Sequence, residues 1–453
     1  MSCGAAESAD GARLKRSDTL YRIVVMRTAV RRLAALAAPL LACAPEVTFT
    51  KDIAPILQAK CQSCHRPGQI APMSLLTYQE ARPYAHAIRM SVAIGNMPPF
   101  YAAGPPGYFK DDIRLTEKEK QLLADWANAD APEGDPALLP APIAWDDSEW
   151  PLGEPDLVLH FPRHSPRPNY KDQYVTLVSD QALAEDTWVR ALHLKTQSKQ
   201  VIHHSTLFLW DPATEMPEGG MSLEHINPKE NPLFTWFPGF LADPLPPGQA
   251  ILLPKGWRVA GRTHFAPTRT RVSEEMALGI YHADGPIDSV QKNIAVFIGD
   301  LRIPPGKSDY TRTERMEFPE DAQLSHFRVH MHLRGKSAKF ILNYPDGSKR
   351  EIFDLLRYRF AWQRYYYLAE PLTVPKGTVA EFVGVWDNSA ANPQNPDPTM
   401  WCFTGRRTID EMFGATIFYT PLAKLAIPLR IEKGRRVDGS GPMGQERGSS
   451  QLL

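Results

Sequence analysis

Apolar positions along this chain change period once. Residues 47–60, VTFTKDIAPILQAK, place Ile53, Ile56 and Leu57 on one face, the signature of a short amphipathic helix. Thr116-Glu117-Lys118-Glu119 is a capping box. It opens a second helix with Leu122, Leu123 and Trp126 on its buried face. Met90 stands at helical spacing from His86 and Ile94 and reads as core. Beyond residue 155 long helical patterns disappear. Short apolar runs at 188–195, 201–210, 293–303, 327–333 and 339–344 alternate with Gly and Pro. The last of them turns through Pro345-Asp346-Gly347 into 350–355, a hairpin signal.

Between the two regimes lies a stiff connector carrying Pro132, Pro136, Pro140, Pro142, Pro151 and Pro155. The expected fold class is therefore multidomain: a small all-α domain followed by two all-β sandwich, jelly-roll-like domains. The expected boundaries are 1–45 for an upstream extension and signal segment, 46–140 for the helical domain and 141–155 for the linker. The sandwiches follow at 156–304 and 305–432. Residues 433–453 are polar and rich in Gly and Ser, as a disordered tail would be.

Composition narrows the function classes. Lys plus Arg and Asp plus Glu both count 51, so the net charge is zero, and nucleic acid is not an expected partner. With 43% hydrophobic residues the chain has enough for several cores, and general disorder is excluded. Proline is high at 42 of 453, which favours short strands and stiff loops. Five cysteines are too few for a disulfide scaffold.

The N-terminal region reads as an export signal. Nothing approaches the ~18 apolar residues of a transmembrane helix. The apolar run 33–44, LAALAAPLLACA, follows Arg27, Arg31 and Arg32, which makes a basic n-region and an h-region if translation starts at Met26. Leu40-Leu41-Ala42-Cys43 resembles a bacterial lipobox with Cys43 as the lipidated residue. The expected location is the periplasm, either free or as a lipoprotein facing it.

The first chemical motif is Cys61-Gln62-Ser63-Cys64-His65. C-x-x-C-H attaches c-type haem through two thioethers, with the histidine on the iron. A zinc half-site lacks a second ligand pair, since Cys402 is the only later cysteine, and a redox dithiol lacks its βαβ context. The second axial ligand is expected in the same domain, from Met73, Met90, Met97 or His86. Met97 is favoured, because Pro98 and Pro99 hold it in an extended loop. Residues 49–136 resemble bacterial class I cytochrome c domains.

Histidine carries the chemistry of the remainder. His203 and His204 are adjacent on a strand-like run, so they point to opposite faces unless a bulge or strong twist turns them together. In His330-Met331-His332 both rings share a strand face, ~6.5–7 Å apart at Cα, near enough to chelate one metal. His264, in Gly261-Arg262-Thr263-His264-Phe265, signifies nothing alone. His160, His193 and His326 read as ordinary surface or core residues.

Together these motifs, over roughly residues 155–430, resemble the copper type II, ascorbate-dependent monooxygenases. That family includes peptidylglycine α-hydroxylating and dopamine β-monooxygenases and has one copper in each of two sandwiches. The resemblance implies an electron-transfer copper on His203, His204 and His264. It implies an oxygen-binding copper on His330, His332 and Met412, the last in Thr408-Ile409-Asp410-Glu411-Met412. Arg328, two residues before His330, matches the arginine that holds a peptide carboxylate. The disulfide staples of the animal members are absent, and Phe413-Gly414-Ala415-Thr416 lacks their Asn and Tyr peptide contacts. Three imidazoles suit a copper that passes an electron, whereas two imidazoles and a thioether favour Cu(I) and leave a position for dioxygen.

The expected protein is an exported monooxygenase carrying covalent haem c and two copper ions. It would hydroxylate a small organic substrate with O₂, drawing electrons from a periplasmic donor or ascorbate. The alternative is a non-catalytic electron-transfer or copper-binding protein fused to a cytochrome.

Overall fold

The change of period is visible in the order of elements. We describe a computed structural model, covering residues 46–146, 148–168, 173–198, 201–222, 232–237, 243–265, 271–405 and 407–438. The expected signal segment and Cys43 lie outside these residues.

Helices in the first part are short. A π-turn, Phe49–Ile53, runs into an α-helix, Ala54–Lys60, whose first turn accepts a proline and whose end delivers Cys61. Thr116 caps Glu117–Asn128, and Glu119 returns the bond to the Thr116 N–H. Its inner residues, Leu123 and Trp126, close on Phe49, Ile53 and Leu57. Burying such side chains contributes about 1.5–3 kcal/mol each. Met90 departs from expectation. On the helix Ala85–Ala93 the inward side is held by Ala85, Ile88 and Val92, leaving Met90 53% and Ile94 56% exposed. A helix this short has room for only one buried stripe.

The rest of the described chain is mostly β, in two sandwich-like units. In the first, one five-stranded sheet runs in the order Met221–Ser222, Gln173–Val178, Arg258–Phe265, Ile202–Trp210, Pro232–Trp236. It faces a second sheet of Thr187–Lys195, Gln249–Leu253, Ala277–His282, Leu157–His160 and Ser289–Val290, and Val175, Leu207 and Val259 meet Val189, Leu194 and Leu278 between them. In the other unit the central strand Val379–Trp386, and Gly335–Asn343 from Ser337 onward, alternate between buried and half-buried positions, as a sheet with one inner face must. Phe340 and Phe382 on this sheet pack against Phe327 and Ile417 of the facing sheet, in which Gly414–Pro421 and Ala322–His330 pair between Lys292–Phe297 and Tyr366–Val374. The Pro345-Asp346-Gly347 turn forms with Gly347 at φ +86°, where glycine carries no Cβ penalty.

Three boundaries differ from the sequence expectation. The run 293–303 breaks at Gly299-Asp300, and its first half, Lys292–Phe297, pairs with Gly414–Pro421; the C-terminal sandwich therefore starts before 305. At the other end Leu429–Glu432 returns to pair with Gly285–Ile287 of the first sandwich, and Arg435–Arg436 hairpins onto it, so residues 433–438 of the expected tail are structured. The expected helical domain is also not self-contained. Ala102–Ala103 adds an edge to the sheet at Asp354 and Leu355, while Phe100 and Phe109 enter the core of the C-terminal sandwich. These two aromatic side chains find more apolar surface there than four short helices offer. The proline-rich connector is docked as well, with Trp145 beneath Arg66 and Gly153 accepting from the Tyr281 hydroxyl. Residues from Val47 onward form one unit. No helix among the described residues is long and apolar enough to cross a membrane.

Candidate metal centres

Cys61, Cys64 and His65 follow directly from the end of the helix Ala54–Lys60, in turns closed by bonds from the Cys64 and His65 N–H groups to the Cys61 carbonyl. They line an apolar cavity of about 350 Å³ together with Met73, Met97 and Trp362. Burial pushes the Cys61 thiol up to about 12 and raises Cys64 also. A redox dithiol or zinc pair works as thiolate, so this environment suits thiols that become thioethers better. Cys402 is remote in kind, buried in the strand Cys402–Phe403 of the C-terminal sandwich. Of the four axial candidates, Met73 and the partly exposed Met97 line the cavity, whereas the exposed His86 and Met90 do not.

His203, His204 and His264 come together. Their ligand atoms lie within 4.8 Å of one another, the only such group of three or more His, Cys, Asp or Glu among the described residues. Two features of the sheet cause this. His204 and His264 are register partners on neighbouring strands, and the pairing slips by one residue between Ile202 and His204. That bulge relieves the opposite-face problem of adjacent strand residues. Tyr174, opposite His264 on the third strand, stacks on its ring at 4.2 Å, with the hydroxyl 3.1 Å from Nδ1. Nε2 of His264 is then the nitrogen that would take a metal. His204 is buried with neither ring nitrogen in a hydrogen bond. Burial, and then His264 and His203, hold its pKa well below the usual range, so it stays neutral, the form that ligates. An orphaned buried nitrogen costs ~1–3 kcal/mol, a cost that a bound metal removes. These residues fit a metal ion.

The second set is held differently. His330 ends the strand Ala322–His330 and His332 stands two residues beyond it, with ring centroids 5.2 Å apart. His330 Nδ1 lies 2.6 Å from Gln363 Oε1, and Gln363 is fixed by donating its amide to the Phe360 carbonyl. His332 Nδ1 is 3.1 Å from the Asp410 carbonyl. With the protons on Nδ1, both rings present Nε2 as ligand nitrogens, the orientation that carbonyl partners impose on metal-binding histidines. Gly414 is the register partner of His330, and Met412, two residues before Gly414, is buried. The Glu411 carboxylate locks this junction, accepting from the N–H groups of His332, Arg334 and Met412 and from the Trp386 indole. Arg328 is buried, faces Thr416 across the ladder, and has no hydrogen-bond partner at Nε.

Sequence reasoning missed the segment 357–363. Arg357 donates to the Ile94 and Gly95 carbonyls and Arg359 to the Asn96 side chain, clasping the turn that carries Met97. Phe360 lies 6.1 Å from His264 and 5.8 Å from His332, ring to ring, between the two histidine sets. Trp362 reaches the cavity and Gln363 reaches His330. The segment has no periodicity to flag it, although Phe360, Trp362 and Gln363 crowd into four positions.

No protein-family model matches the chain, and no curated protein does. Among solved structures it is similar to the major capsid protein P2 from bacteriophage PM2, at TM-score 0.23 and 9% identity, covering 60% of this chain and 98% of that one. It is similar to peptide: N-glycanase F at TM-score 0.23 and 10% identity, covering 60% and 98%. The infectious bursal disease virus VP2 subviral particle matches at TM-score 0.16 and 9% identity, over 62% and 84%.

Proposed function

We propose that this chain is an exported copper-dependent monooxygenase with its own covalent haem c, hydroxylating a C–H bond of a small organic substrate. The observation that carries the reading is the His203, His204 and His264 cluster, within 4.8 Å and with His204 buried and lacking hydrogen bonds. The net reaction is RH + O₂ + 2e⁻ + 2H⁺ → ROH + H₂O. Bound copper would supply one-electron chemistry with dioxygen, and covalent haem would supply electrons drawn from a periplasmic donor or ascorbate. The chain's own residues do the rest. His203, His204 and His264 hold one copper, with Tyr174 fixing the His264 ring. His330, His332 and Met412 hold the other, with Gln363 and the Asp410 carbonyl fixing the imidazoles and Glu411 fixing the backbone between them. Arg328 offers a buried cation to an anionic group of the substrate. Cys61 and Cys64 would attach the haem and His65 and Met97 would ligate it, with Met73 also facing the cavity.

The test is production with a haem-maturation system, copper reconstitution, and product screening under ¹⁸O₂. Denatured protein should keep its colour and show a pyridine haemochrome spectrum, and a hydroxylated product should carry ¹⁸O. Haem that extracts into acidified solvent, or protein that binds no copper, overturns the reading. Haem and copper without oxygen incorporation would leave the non-catalytic electron-transfer alternative.

A further inference from the structure

The cavity at Cys61 and Cys64 and the three-histidine cluster share one side chain. The cavity is lined by residues between 60 and 123 with a single exception, Trp362, contributed by the C-terminal sandwich. The same indole meets the His203 ring at 5.8 Å between centroids, inclined by 62°. One face of the contact is therefore the proposed haem site and the other a proposed copper ligand.

We propose that Trp362 is the bridge across which an electron passes from the haem cavity to the three-histidine site. The step balances simply: one electron leaves ferrous haem, which becomes ferric, and reduces cupric copper on His203, His204 and His264 to cuprous. No bond forms or breaks and no proton moves. Trp362 itself is neither oxidised nor reduced; it fills with packed atoms a gap that would otherwise weaken the electronic coupling.

A tryptophan where two parts of a fold meet often serves only as apolar filling. Here its placement is fixed from both sides. Trp362 donates its backbone N–H to the Arg359 carbonyl, and Arg359 and Arg357 grip the turn at Ile94–Asn96 that leads into Met97. On its other side Gln363 is bonded to His330. The segment carrying the indole is thus anchored toward the cavity by Arg357 and Arg359 and toward the histidine sites by Gln363, as a positioning residue for electron transfer requires.

This inference rests on the proposed haem and copper sites, and the experiment separates the two. The full-length holoprotein is loaded with copper(II), its haem checked as pyridine haemochrome and its copper by electron paramagnetic resonance. A light pulse with an external photosensitiser reduces the haem, and its re-oxidation is followed by absorbance under anaerobic conditions. Wild type should show a first-order phase that needs copper and does not depend on protein concentration. Trp362→Phe should slow this phase, and Trp362→Leu should lose it, while haem spectrum and copper signal stay unchanged. If Trp362→Leu lost haem or copper through misfolding, the Phe variant alone decides. An unchanged rate in either correctly loaded variant overturns the bridge, as does a wild type that holds both groups but shows no copper-dependent phase. A wild type that lacks covalent haem or copper sinks the underlying reading, and the bridge with it.

Discussion

At the scale of single residues, the informative side chains are buried polar groups. Arg328 is one: a buried guanidinium facing Thr416 rather than an acid. If it holds a substrate anion, a charge-assisted contact worth ~1.5–3 kcal/mol is at stake, or about ten- to a hundredfold in affinity. Arg328→Met should raise KM for an anionic substrate and leave neutral analogues unaffected; steady-state kinetics on such a pair checks this. His326 makes a different prediction. It is sandwiched between Tyr367 and Phe418, and burial, with a smaller contribution from Lys110, lowers its pKa to about 3. The unfolded chain takes up that proton near pH 6.5, the folded chain does not, so stability is lost as pH falls from 6.5 toward 3. At pH 5 the loss from this residue is ~2 kcal/mol. Urea midpoints of wild type and His326→Phe should therefore diverge below pH 6.5, wild type losing more; parallel curves would show that the imidazole titrates normally.

At the scale of elements, the strand bulge at His203 and the segment 357–363 do most to build the site. The adjacent histidines are conspicuous in the sequence, and so is the need for a bulge if they are to share a metal. The His-x-His pair is legible for the same reason, a period of two on a strand. What holds them is not legible. Tyr174, Glu411 and Gln363 act across 90, 79 and 33 residues of chain, and pairing at such separations leaves no local pattern. Met90 misleads in the opposite direction, because helical spacing alone cannot say which stripe of a nine-residue helix faces inward. The Gln363 amide gives this scale its prediction. Gln363→Leu removes the acceptor at His330 Nδ1 and should weaken copper at His330, His332 and Met412 by about 10–100-fold. Competition with a chelator, followed at the separate copper signals, should leave the His203, His204 and His264 site unchanged.

For the whole molecule, the mostly-β character and the helical first part follow from periodicity, but the boundaries do not. Residues 100–109 leave the helices for the C-terminal sandwich, and Leu429–Glu432 leaves that sandwich for the first. Each crossing satisfies a sheet edge or an apolar core that the local segment cannot complete, and linear reading assigns each to its sequence neighbours. The crossings also make one unit from Val47 onward, so the cavity, the three histidines and the His-x-His pair keep fixed neighbours. Metal binding at those two histidine sets is tested most directly by copper stoichiometry. Titration of the haem-containing wild type should saturate at two coppers per haem, and His204→Ala should retain only one. A wild type that binds no copper, or a His204→Ala protein that binds as much as wild type, would contradict it.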